Sequence, residues 1–222
     1  MRKKLLKSLE KCIESAWKEG VKNDYKNTAM WWKEAEIVAS FYHHLCLNLC
    51  QNKELKKSGV QPISEYRPKP TEKREGKEFF PALKKDKSDP RGRAKSLDLC
   101  IAEFVKHDKE ELWENEHHPL VAMEFKYWVG KEDIDQLTKI QNYIDNYEGF
   151  DEKYFCFVEM QRRLQRLHNW TEKIKDKKKL KKWRIAYLID DGNRNPLCSV
   201  VSLDEFLKLV IKLRKQKASE VA

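Results

Sequence analysis

Apolar and polar positions alternate along this chain in stretches with two distinct periods. Residues 1–19 carry Leu5, Leu6, Leu9, Ile13 and Trp17 at helical spacing, which predicts an amphipathic helix. Residues 30–52 predict a second, stronger helix. At about 100° per residue, Trp31, Ala35, Val38, Phe41, Tyr42, Leu45 and Leu49 fall on one stripe. A short strand is expected at Ile63–Tyr66, ended by Arg-Pro-Lys-Pro, and residues 67–95 read as a loop. Continuous apolar runs then predict strands at 96–105 and 119–128, joined by the polar stretch 106–118. Residues 131–148 predict a helix that stops at Gly149. A strand at 153–160, a basic helix at 161–181, a strand at 183–190, a turn at 191–196 and a last helix at about 203–217 follow. The order α α β β β α β α β α predicts an α/β protein with a mixed central sheet flanked by helices. No repeat and no long linker divides the chain, so a single domain over 1–222 is expected.

Composition narrows the function classes. The 222 residues hold 46 Lys and Arg against 36 Asp and Glu, a net charge of +10. Basic excess on this scale points to a polyanionic partner such as nucleic acid, beside the simpler reading of a well-solvated surface. No stretch approaches the length of a transmembrane helix. The basic N-terminus is followed by Glu10, Lys11 and Glu14 rather than by an apolar signal core, so an intracellular, cytoplasmic protein with no membrane partner is expected. The cysteines Cys12, Cys46, Cys50, Cys100, Cys156 and Cys198 are dispersed with no Cys-x-x-Cys, which reads as reduced thiols, mostly buried.

The chemistry concentrates in two strands. Pro119-Leu-Val-Ala-Met-Glu-Phe-Lys-Tyr-Trp128 reads as a buried strand, yet it contains Glu124 and Lys126. Two residues apart on a strand, they share a face at a separation of roughly 7 Å, and Phe125 faces the other way. Burying both is costly without partners, and a divalent metal at the glutamate with the lysine beside it removes that cost. Upstream, Ser96-Leu-Asp-Leu-Cys-Ile-Ala102 is an apolar strand with a single acid, Asp98. If the two strands are antiparallel neighbours, facing side chains come within about 5 Å, or about 7 Å on the diagonal, and one cation spans that gap. The plainer reading is a buried Glu–Lys ion pair with Asp98 at a strand edge.

Asp98 followed by Glu124-Phe125-Lys126, with a predicted helix directly after, resembles the PD-(D/E)xK superfamily of restriction-endonuclease-like nucleases. Leu97-Asp98 stands for the family's Pro-Asp, with leucine replacing a proline that is no ligand. The resemblance covers roughly residues 30–190. It implies an α-β-β-β-α-β core in that segment, with an N-terminal helix appendage over 1–29 and a C-terminal helix in 191–222. It also implies a nuclease that hydrolyses phosphodiester bonds of DNA with Mg²⁺ or Mn²⁺. Asp98 and Glu124 would hold the metal, and Lys126 would position or activate water and stabilise developing charge. The family often adds a glutamate from its first core helix, where Glu34 and Glu36 are available. Glu34 falls within the apolar stripe and Glu36 points away, so Glu34 is preferred; a first-turn glutamate favoured by the helix dipole is the simpler reading.

Further contacts follow from the same resemblance. Gln136 and Tyr143, on the helix after Glu-x-Lys, are candidates to orient a nucleotide or a water. Arg91, Arg93 and Lys95, just before Asp98, are candidate phosphate contacts, with Arg162, Arg163, Arg166 and Lys173 to Lys182 as a second basic zone, beside the simpler reading of helical basic runs as solvated surface. The family commonly acts as homodimers, and that expectation extends to this chain. His43, Cys46 and Cys50 recur at helical spacing but lack a second cysteine pair for a zinc site. His117-His118 offer catalytic or metal-binding groups, but beside Pro119 at a strand entry they read first as a loop feature. Two alternatives stand beside the nuclease: a catalytically inactive relative that binds nucleic acid or protein, and a basic RNA-binding α/β protein.

Overall fold

The computed structural model describes residues 2–27, 33–66, 97–105, 116–127, 151–160, 183–190, 192 and 195–220. The expected loop at 67–95 and the expected helices at 131–148 and 161–181 lie outside these residues. Helix α1 (Arg2–Ser15) runs into a π-helical turn (Ala16–Val21) and then α2 (Lys22–Asn27). Helix α3 (Glu34–Gln51) and the short α4 (Lys53–Lys57) follow. The strands are β1 (Val60–Tyr66), β2 (Leu97–Val105), β3 (Glu116–Tyr127), β4 (Glu152–Met160), β5 (Trp183–Asp190) and β6 (Leu197–Ser202), and α5 (Leu203–Glu220) comes last.

The strands form one six-stranded sheet in the order β1-β2-β3-β4-β5-β6. β1, β2 and β3 are an antiparallel meander, β4 and β5 run parallel to β3, and β6 returns antiparallel to β5. The protein is thus mixed α/β, with an open mixed sheet flanked by helices. Among the described residues, no helix is long and apolar enough to cross a membrane.

Period-two burial divides the sheet into two cores. One face presents Leu99, Ile101, Val121, Met123, Phe125, Tyr154, Cys156 and Val158 to Leu9, Ile13, Trp17, Ile37, Phe41 and Leu45 of the N-terminal helices. The other presents Cys100, Ala102, Ala122, Phe155, Phe157, Ile185 and Tyr187, with Leu203, Phe206, Val210 and Leu213 of α5 packed on it. The buried residues of α1 and of the π-helical turn share one core with α3 and the sheet.

Several details depart from the sequence reading. β3 begins at Glu116, upstream of Pro119, so His117 and His118 are strand residues opposite Phe104 and Glu103 rather than loop. The register shifts between Ile101 and Ala102, which face Val121 and Pro119, and the bulge leaves Leu120 unopposed on β2. Pro119 needs no ladder N–H there. The Leu120 carbonyl accepts the Asp151 N–H at 2.9 Å instead. β6 was not expected at all. In α3 the buried line is Ile37, Phe41, Leu45 and Leu49, while Ala35 is exposed.

Candidate active site

An aromatic trio fixes the register on which the site depends. Phe125 packs against Phe41 of α3 (ring centroids 5.4 Å apart) and Trp17 of the π-helical turn (6.3 Å), and those two rings stand 6.0 Å apart. Trp17 is held in turn, because its indole N–H donates to the Tyr187 carbonyl at 2.9 Å. A one-residue slip of β3 would pull Phe125 out of this core, so the trio holds Glu124 and Lys126 on the opposite face.

Both charged side chains are buried there: Glu124 is 6% exposed and Lys126 7%. The Lys126 ammonium donates to Glu124 Oε1 at 2.9 Å and to the carbonyl of Phe125 at 2.7 Å. It also lies 3.4 Å from both carboxylate oxygens of Glu34. Glu34 opens α3, roughly 60° around the helix axis from Ile37, whereas Glu36 is roughly 100° away. Glu34 is the partly exposed member of the group, with its side chain 40% exposed. Glu36 is committed elsewhere: it accepts the Lys33 N–H at 3.1 Å and donates its own N–H to the Lys33 carbonyl, closing the first turn of α3.

Asp98 joins through the backbone. The β2–β3 register runs as far as Leu99 opposite Met123, and one step further Asp98 Oδ2 accepts the Phe125 N–H at 2.7 Å. The aspartate thus ends the ladder beside Glu124. Burial and the negative charge of Asp98 push the Glu124 carboxyl up to about 7, against the pull of Lys126. Burial by itself would lower the Lys126 ammonium, but Glu124, Asp98 and Glu34 outweigh it and hold it above the ordinary lysine range. The structure therefore gathers Glu34, Asp98, Glu124 and Lys126 at one end of β3, from one helix and two antiparallel strands.

By donor type, three carboxylates suit a hard divalent cation. By placement, no three His, Cys, Asp or Glu side chains among the described residues are gathered closely enough to enclose one. The ammonium lies between Glu124 and Glu34 instead.

Arg91, Arg93, Lys95, Gln136 and Tyr143 lie outside the described residues, as do Arg162, Arg163, Arg166 and Lys173 to Lys182. Among the described residues no ligand set forms around His43, Cys46 and Cys50: the His43 ring packs edge-on to His44, and all six cysteines are free. His44 belongs to a separate group, in which Asp24 Oδ2 accepts from the Ser40 hydroxyl at 2.6 Å and lies 2.9 Å from His44 Nε2.

Sequence reasoning passed over Glu159. It is fully buried near the end of β4, on the face of Phe155 and Phe157 and therefore of Glu124 and Lys126. Its neighbour Val158 pairs with Tyr127, so Glu159 lies one step beyond β3's last residue. A lone acid in the apolar run Tyr154-Phe-Cys-Phe-Val-Glu-Met160 was the available signal. Compared with protein-family models, curated proteins and solved structures, the chain shows no match.

Proposed function

We propose that this protein is a divalent-metal-dependent nuclease that hydrolyses phosphodiester bonds of DNA on a restriction-endonuclease-like core. The observation that carries the reading is the convergence of Glu34, Asp98 and Glu124 on the Lys126 ammonium. The element order supports it: a helix (α3), an antiparallel meander (β1–β3) and a fourth strand parallel to the third agree with the order such an α-β-β-β-α-β core would have. The net charge of +10 suits a polyanionic substrate.

Asp98, Glu124 and Glu34 are the residues that would hold Mg²⁺ or Mn²⁺, and the ion would supply Lewis acidity and an activated water. The protein's own part is to orient. Asp98 is braced by the Phe125 N–H, and Glu124 is fixed by the packed strand. Lys126, once free of its present acceptors, would supply a positive charge for a phosphate oxygen or a hydrogen bond for the attacking water.

One observation favours a second reading. Every N–H of the Lys126 ammonium has an acceptor, as in a structural ion pair, and this suits an inactive relative that binds nucleic acid or protein. Plasmid nicking with Mg²⁺ or Mn²⁺, comparing wild type with Lys126→Ala prepared identically, separates the two. The nuclease reading expects cleavage that EDTA abolishes and the variant lacks. Absence of cleavage from wild type on plasmid, single-stranded and branched DNA would refute it.

A further inference from the structure

The Lys126 ammonium has three N–H donors, and three acceptors surround it: Glu124 Oε1 at 2.9 Å, the Phe125 carbonyl at 2.7 Å and the Glu34 carboxylate at 3.4 Å. As placed, it has no donor left for a water or a phosphate. A divalent cation entering among the same carboxylates would meet that positive charge at close range, where burial leaves it poorly screened. A cation among the carboxylates and a lysine serving substrate thus both require the ammonium to leave its present position. The flexible four-carbon stem of lysine allows that movement. The strand that carries Glu124 stays in place, because Phe125 on its other face packs against Phe41 and Trp17.

We propose that Lys126 is an internal counter-ion that a divalent cation must displace, so that metal binding and release of the lysine toward substrate are one coupled event. The inference rests on the metal-dependent reading and adds to it a regulation of the same site: without metal, the lysine is withheld from substrate. Coupling of this kind is reciprocal, so removing the lysine strengthens the hold on the metal.

Two measurements test it, neither of them activity. The first is calorimetric titration of wild type, Lys126→Met and Glu124→Gln with Mn²⁺ alone. Lys126→Met is expected to bind at least about tenfold tighter than wild type, and Glu124→Gln to lose binding. The second uses wild type only and so does not depend on the folding of a variant. Acetylation of Lys126 by acetic anhydride, read by peptide mass spectrometry, is expected to be slow without metal and to rise as Mn²⁺ saturates the site. Suppose instead that Mn²⁺ binds wild type and not Glu124→Gln, while Lys126 stays protected at saturation and Lys126→Met binds no tighter. Displacement is then overturned and the metal site stands. Failure of Mn²⁺ to bind wild type and Lys126→Met alike overturns both.

Discussion

Replacing Lys126 with methionine keeps the length and apolar stem of the side chain but deletes its charge. The loss is concentrated on Glu124, which is 6% exposed and has the ammonium 2.9 Å from its carboxylate. Removing one partner of a buried ion pair costs about 3–5 kcal/mol when the other stays charged. When the other is neutral, the cost falls to roughly 1–2 kcal/mol, chiefly the Phe125 carbonyl left without its donor. Glu124 decides which regime applies. Its folded-state pKa lies above the unfolded carboxylate value, so its protonated form stabilises the fold below the unfolded value. That contribution is lost as pH rises through about 7. In Lys126→Met the attraction that lowers this pKa is gone, and the loss continues to higher pH at about 1.4 kcal/mol per unit. Urea unfolding at pH 5.5, 7 and 8.5 should therefore show a stability gap between wild type and variant that widens with pH, from about 1–2 toward about 3–5 kcal/mol. A gap under about 1 kcal/mol at pH 8.5, or one that narrows as pH rises, would refute the buried pair as described.

Other outcomes follow from the same geometry. Phe41→Ala should cost about 3–5 kcal/mol in urea unfolding, because the ring is fully buried against Trp17 and Phe125. Gly20→Ala should destabilise by about 1–3 kcal/mol, since a Cβ at Gly20 would run into the His44 ring; an unchanged melting temperature would contradict that packing. Filter-binding affinity for a labelled DNA duplex should fall linearly with log salt concentration, as expected for phosphate contacts by a chain of net charge +10, and a flat dependence would count against a nucleic-acid partner.

The central strands were legible because a parallel or buried strand is apolar on both faces. Leu97 to Ala102 and Leu120 to Tyr127 stand out for that reason, and the charged exceptions Asp98, Glu124 and Lys126 stand out against them. Period two alone put Phe125 on one face and Glu124 with Lys126 on the other, as the packing has it. Features set by tertiary contacts were not legible. β6 is a short edge strand: Leu197, Cys198, Val200 and Val201 are apolar, but only Val200 is fully buried, and the six residues fall between the turn at 191–196 and the last helix, where they read as a connection. The start of β3 was hidden by Pro119, which reads as a breaker until a bulge relieves its missing N–H. The helical reading stopped at residue 19, before Gly20, yet the helix continues, and the His44 side chain packs where a Cβ of residue 20 would stand. The preferred stripe on α3 included Ala35 and omitted Ile37, since the sheet meets the helix along the Ile37–Phe41–Leu45–Leu49 line. The saturation of Lys126 needs Glu34, Phe125 and Glu124 from a helix and a strand together, which a linear sequence does not display.

The most direct measurement of the nuclease claim is Mg²⁺-dependent cleavage of DNA by Asp98→Asn beside wild type, with the stability of both measured in parallel. The asparagine carbonyl oxygen can still accept the Phe125 N–H that Asp98 takes at 2.7 Å, so stability should stay within about 1 kcal/mol. The lost negative charge should nevertheless lower cleavage by more than about 100-fold. Equal cleavage by two equally stable proteins would contradict the assignment of Asp98 to a catalytic metal site.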